Sequence, residues 1–135
     1  MLSISQKHKL GCGAACLAFV VGCPYNEIIE IISINKANKT GLICKELVCL
    51  LSKYGLQYEY TFIKPRLRRE IYKNGTIVFL KRSKKYPSGH YMTRTNGLWM
   101  DPWINFSINS NLNEAISGFR VRLPYKPSYA LLPIN

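Results

Sequence analysis

The chain has 135 residues, 47% of them apolar and 19% charged, and a formal net charge of +12. These values describe one globular domain over residues 1–135 rather than a disordered segment. No apolar run approaches the roughly 18 residues that cross a bilayer, and residues 1–5 lack the charged start and apolar middle of a signal peptide. Five cysteines, at 12, 16, 23, 44 and 49, form no CxxC pair. A disulfide framework or metal site is therefore not expected, and a reducing, cytoplasmic compartment is.

In chain order, Cys12 to Val21 is an apolar stretch opened by Gly11 and Gly13 and closed by Gly22, the pattern of a buried helix starting near Cys12. Pro24-Tyr25-Asn26 opens a second helix with Ile28, Ile29, Ile31 and Ile32 as its apolar face and Glu27 well placed in its first turn. Asn35 to Thr40 reads as a polar loop. A third helix is predicted from about Leu42 to Tyr54, with a buried stripe of Leu47, Val48, Leu50 and Leu51 and with Gly55 as its terminator. After Gly55 the period changes. Tyr58, Tyr60 and Phe62 alternate with polar neighbours as in a half-buried strand, Pro65 ends it, and Arg66 to Lys73 reads as one or two helical turns. Thr76 to Leu80 is a β-rich strand and Tyr86-Pro87-Ser88-Gly89 a loop. His90 to Thr95 and Leu98 to Trp103 flank Asn96-Gly97, the strongest short hairpin signal. Phe119 to Leu123 adds a further strand. Helices followed by antiparallel strands make an α+β fold, with N-terminal helices packed on an antiparallel sheet.

A thiol hydrolase needs a thiolate, a base, a group that orients the base, and donors for an oxyanion. Cys12 sits at the expected start of an apolar helix, where the helix dipole favours a thiolate. Cys16, Cys44 and Cys49 fall in apolar helical stripes and read as small core residues; Cys23 lies in a loop. His90 begins a predicted strand. The other histidine, His8, is too near Cys12 along the chain to face it from an opposite wall. Asp101 is the chain's only aspartate. If Asn96-Gly97 is a two-residue turn, Thr95 pairs with Leu98 and Met92 faces Asp101, so His90 and Asp101 are diagonal neighbours on one face. Diagonal Cα atoms lie roughly 7–8 Å apart, which lets an imidazole reach a carboxylate; a slip of one residue would put the two on opposite faces. Asp101 has a competing reading as a turn residue before Pro102. Gln6, upstream of Cys12, can donate its amide N–H to a developing oxyanion.

Gln6, the five residues after it and Cys12-Gly13-Ala14-Ala15-Cys16-Leu17-Ala18 together resemble the opening motif of the bacteriocin-processing peptidases. These papain-like domains remove double-glycine leader peptides and usually sit at the N-terminus of ABC exporters. The resemblance continues through Gly41 to Leu56, where the family has a helix led by glycine, and at His90-Tyr91 and Asp101-Pro102, where it places base and acid. It covers roughly residues 5–103. It implies a papain-like cysteine peptidase fold with Cys12 as nucleophile, His90 as base, Asp101 as orienting acid and Gln6 as oxyanion residue. The implied substrate is a peptide or protein, and no cofactor is called for. Where that family carries aspartate before the nucleophile, this chain has Gly11. The exporter's membrane and ATPase domains are not within these residues, and residues 105–135 match no part of the motif.

Charge adds a second expectation. Lys64 to Arg94 holds ten of the nineteen basic residues and one acid, Glu70. Within it Arg66, Arg68, Arg69, Lys81, Arg82, Lys84 and Lys85 form a basic patch suited to RNA or to an acidic inhibitor or immunity protein. The plain alternative is a solvated basic face. A small basic catalytic domain also suits a toxin or effector of the same fold, acting on tRNA or a target protein and delivered into a target cell. A binding module that keeps the four residues but blocks its groove is the third reading.

Overall fold

A computed structural model describes residues 2–134. Three helices come first: α1 (Cys12–Val21), α2 (Tyr25–Ile32) and α3 (Cys44–Lys53). α1 is buried from Gly13 to Phe19, which is why its sequence has no polar face. α2 buries Tyr25, Ile28 and Ile29. Ile31, expected on the same face, is half exposed, because Tyr25, Ile28, Ile29 and Ile32 already span an arc of about 100° and Ile31 falls outside it. The expected loop at 35–40 is a π-helical turn over Lys36–Thr40 that buries Ala37. The Ala37 carbonyl accepts from Leu10 N–H at 2.8 Å, which ties this turn to the segment leading into α1. α3 starts two residues later than its apolar pattern, where the Glu46 side chain accepts from Ile43 N–H at 3.0 Å. It buries Leu47, Leu50 and Leu51, and Leu56 N–H closes it on the Leu51 carbonyl.

The strands are β1 (Tyr58–Phe62), β2 (Ile77–Leu80), β3 (His90–Thr95), β4 (Leu98–Asp101), β5 (Gly118–Arg120) and β6 (Pro127–Pro133). They form one antiparallel sheet in the order β1-β6-β2-β3-β4-β5. The segment after β1 makes two 3₁₀ turns, Pro65–Leu67 and Glu70–Tyr72. β3 pairs with β4 through Thr95–Leu98, Arg94–Trp99 and Thr93–Met100, the register expected from Asn96-Gly97. Both turn residues have positive φ, 47° and 79°, as a type I′ turn requires.

Four expectations change. β4 ends at Asp101 rather than Trp103. β1 buries Tyr58 but exposes Tyr60 and Phe62, because it is an edge strand and only its start lies in the core. β5 ends at Arg120 rather than Leu123. Residues 127–133, not read as a strand, form β6 between β1 and β2. Its ends are prolines, which have no N–H for a ladder.

The sheet is covered on both faces. Ile77, Tyr91, Met100 and Leu131 pack beneath the helices. Val78, Leu80, Met92, Trp99, Ala130 and Leu132 face the other way, under Ile71, Tyr86 and Phe106. Burial on both sides explains the unbroken apolar run Ile77–Leu80. Among the described residues no helix is long and apolar enough to cross a membrane.

Candidate active site

α1 packs on β3, with Gly13 against the Tyr91 ring. That brings Cys12, the first residue of α1, beside His90, the first residue of β3. Asp101 closes β4, and its Oδ1 lies 2.6 Å from His90 Nε2. An ionised carboxylate only accepts hydrogen bonds, so Nε2 carries the proton and Nδ1 is left for the thiol. The Cys12 thiol is the other group that acts on the ring, and it favours the protonated imidazole.

The couple is dry: His90 is 4% exposed and Asp101 fully buried. Burial alone would push the His90 pKa down. The Asp101 hydrogen bond, with the nearby Cys12 thiol and the Asp101 charge, outweighs it and raises the imidazole from 6.5 to about 9. Burial would likewise push Asp101 up, but the hydrogen bond and charge of His90, the Arg120 guanidinium and the Trp103 N–H hold its carboxyl below the ordinary range. Trp103 N–H donates to Asp101 Oδ1 at 2.9 Å, so Asp101 makes the turn bond of its competing reading and the His90 hydrogen bond at once. Tyr86 stacks on the His90 ring, with centroids 5.1 Å apart and planes within 3°, and Phe106 stacks on Tyr86.

Two of these neighbours were not legible from the chain. Arg120 donates from Nε to Asp101 Oδ2 at 2.8 Å; it comes from a strand fragment with no motif. Tyr86 sits in a loop, and only the folded turn lays it on the imidazole. The Tyr-Pro-Ser-Gly spacing just before His90 was the one signal that could have pointed to it.

Gln6 is buried and lines the same groove as Cys12. Its backbone N–H donates to the Pro102 carbonyl at 3.2 Å, which joins the segment before α1 to the Asp101 turn. Its amide Nε2 donates to the carbonyls of His8 at 3.1 Å and Lys9 at 3.2 Å. Both amide hydrogens are thus engaged, and Oε1 has no partner among the described residues. Service to an oxyanion requires one N–H to swing off its carbonyl. His8 faces elsewhere, with Nδ1 2.9 Å from the Tyr25 hydroxyl.

The other cysteines separate by setting. Cys16 is core, as expected, and burial pushes its thiol well up. Cys44 and Cys49 depart from the expected core role. Cys49 is exposed. Cys44 is half-buried on the groove wall, 3.7 Å from the Tyr91 hydroxyl, and burial pushes its thiol up. Cys44 lies at the margin of the α3 stripe, where helical spacing does not distinguish core from cleft, and Cys49 lies on the face opposite Leu47, Leu50 and Leu51.

A groove of about 960 Å³ runs over Cys12 and His90. Its apolar lining includes Leu42, Phe79, Trp103, Phe106, Ile108 and Tyr129. No aspartate or glutamate lines it, whereas Lys9, Lys39, Lys45 and Arg82 do. Of the basic patch, only Arg82 reaches the groove. Arg66, Arg68 and Arg69 are exposed on the turns after β1, and Lys81, Lys84 and Lys85 on the loop between β2 and β3. Lys85 Nζ donates to the Pro124 carbonyl at 3.1 Å. The patch is therefore two stretches rather than one continuous run. Among the described residues no group of three or more His, Cys, Asp or Glu is placed to hold a metal ion.

A thiol at a helix start, a dry imidazole–carboxylate couple and a peptide-sized groove are the parts that acyl transfer through a thioester requires. No protein-family model and no curated protein matches the chain.

Proposed function

We propose that this protein is a cysteine peptidase of the papain-like kind, with Cys12 as nucleophile and His90–Asp101 as its base couple. The observation that carries the reading is the buried 2.6 Å His90–Asp101 hydrogen bond beside a thiol on the first residue of a helix. His90 is already an imidazolium, so Cys12 releases its proton to solvent, and the sulfur of the thiolate–imidazolium pair attacks the peptide carbonyl carbon while the C=O π electrons move to oxygen. Cys12 N–H, with no intrahelical acceptor at the first helical position, donates to that oxyanion. Gln6 Nε2 supplies a second donor on leaving the His8 or Lys9 carbonyl. The imidazolium then protonates the departing amine, and water hydrolyses the thioester with His90 as base. The motif around Cys12 favours a double-glycine leader as substrate, in a reducing compartment that suits five free cysteines.

A peptide with a Gly-Gly pair ahead of a reporter should be cut after the second glycine. C12A and H90A should each lower the rate by at least about 10³-fold. Absence of cleavage, together with Cys12 alkylation no faster than that of exposed Cys49, would sink the reading. The all-basic groove rim favours one second reading, a basic toxin or effector of the same fold acting on RNA or a target protein and neutralised by an acidic immunity protein. Loss of tRNA that depends on both Cys12 and His90, without peptide cleavage, would select it.

A further inference from the structure

We infer that Arg120 is a positioning residue of this site: its guanidinium keeps Asp101 ionised and turned toward His90, so that the imidazole presents Nδ1 to Cys12. This rests on the roles given above to Cys12, His90 and Asp101.

The register explains how Arg120 arrives. β5 pairs with β4 through Trp99–Arg120, Met100–Phe119 and Asp101–Gly118. Arg120 is thus the diagonal neighbour of Asp101 on one face. The residue directly opposite Asp101 is Gly118, and the Ile104 side chain packs against it where a Cβ would lie. Two bonds hold that group, Nε to Asp101 Oδ2 at 2.8 Å and an Nη to the Ile104 carbonyl at 2.9 Å. The Arg120 side chain is 27% exposed and that of Asp101 fully buried.

The division of labour on the carboxylate is what makes Arg120 more than a surface ion pair. Oδ1 accepts from His90 Nε2 and from Trp103 N–H. Among the described residues Oδ2 accepts from Arg120 alone. Without that donor a fully buried carboxylate oxygen has no partner, and the group must take up a proton or rotate. A neutral or rotated Asp101 no longer holds an imidazolium, and the thiolate that depends on it is lost. The site is therefore a relay of four side chains, with Arg120 at its outer end.

Alkylation of Cys12 by iodoacetamide, followed by peptide mapping across pH 3–8 with exposed Cys49 as internal reference, tests this without a substrate. R120Q should move the acid limb of the Cys12 profile upward by about one pH unit, the usual effect of losing an opposite charge beside a carboxylate. R120K, which keeps the charge, should bring the limb most of the way back. A purely structural role would lower the melting temperature and leave the limb in place. A folded R120Q with the wild-type limb, or an R120K no better than R120Q, overturns the inference. If R120Q does not fold, the Arg120 Nε–H resonance in the C12A protein decides. A slowly exchanging signal that follows the acid titration supports the role, and exchange as fast as for exposed arginines overturns it. A wild-type Cys12 no more reactive than Cys49 would instead overturn the peptidase reading, and this inference with it.

Discussion

Gly11 stands immediately before Cys12, and a Cβ there would collide with the Tyr25 hydroxyl. Tyr25 is buried, its hydroxyl is bonded to His8 Nδ1 at 2.9 Å, and the two rings stack at 5.7 Å. A tyrosine from α2 thus fills the space that a side chain at position 11 would take. G11A should destabilise the protein by about 1–3 kcal/mol through overpacking. Y25F removes the obstructing oxygen, so G11A should be less damaging in that background, with a coupling of about 1 kcal/mol. Urea unfolding of the two single variants and the double variant measures this. Additive effects would show that the hydroxyl is not what keeps position 11 bare.

The β3–β4 hairpin is the element that delivers the His–Asp couple, and its register depends on the turn. A Cβ on Gly97 would meet nothing within 4 Å. Any cost of substitution there is therefore conformational, from a φ of 79°. G97V should destabilise by about 1–2 kcal/mol, the penalty of a left-handed backbone for an ordinary side chain. G97N should lose less than half of that, since asparagine tolerates this region. Chemical unfolding of both variants tests the difference. A valine variant as stable as wild type would mean that the turn has relaxed to another type, and Cys12 alkylation would then report whether the couple survived.

At the scale of the molecule, the buried couple links stability to pH. His90 is raised from 6.5 to about 9 on folding, so the folded state holds a proton that the unfolded chain releases between those values. The resulting stabilisation is fully present below 6.5 and lost as pH rises through about 9; it amounts to at most roughly 3 kcal/mol. Asp101 runs the other way. Its lowered carboxyl contributes above the ordinary carboxylate value and is lost as pH falls through the depressed one. Unfolding free energies of wild type and H90N should therefore differ most near pH 5–6 and converge by about pH 9.5. Curves that stay parallel across that range would show that His90 carries no such proton.

How much of this the chain spells out depends on how far apart the interacting residues lie. The sequence by itself determined α1 and its start at Cys12, since an apolar run bounded by glycines is a local signal. It also determined that His90 and Asp101 share a face, because a two-residue turn sets the register of its own hairpin. Gln6 does line the groove with Cys12, but its engaged amide hydrogens were not visible, since they depend on how residues 8–9 fold back. Only the tertiary structure decided that Tyr129 to Leu132 lie in the middle of the sheet. Ala130 and Leu131 are buried on opposite faces, so the strand shows no alternation to read, and its partners are distant in the chain. The same holds for Arg120, which meets Asp101 only because β5 pairs with β4, and for Cys44, whose helical position could not say whether it faced core or groove. Backbone spacing encodes geometry over a turn or a hairpin; contacts between distant strands follow from how the sheet buries both faces at once.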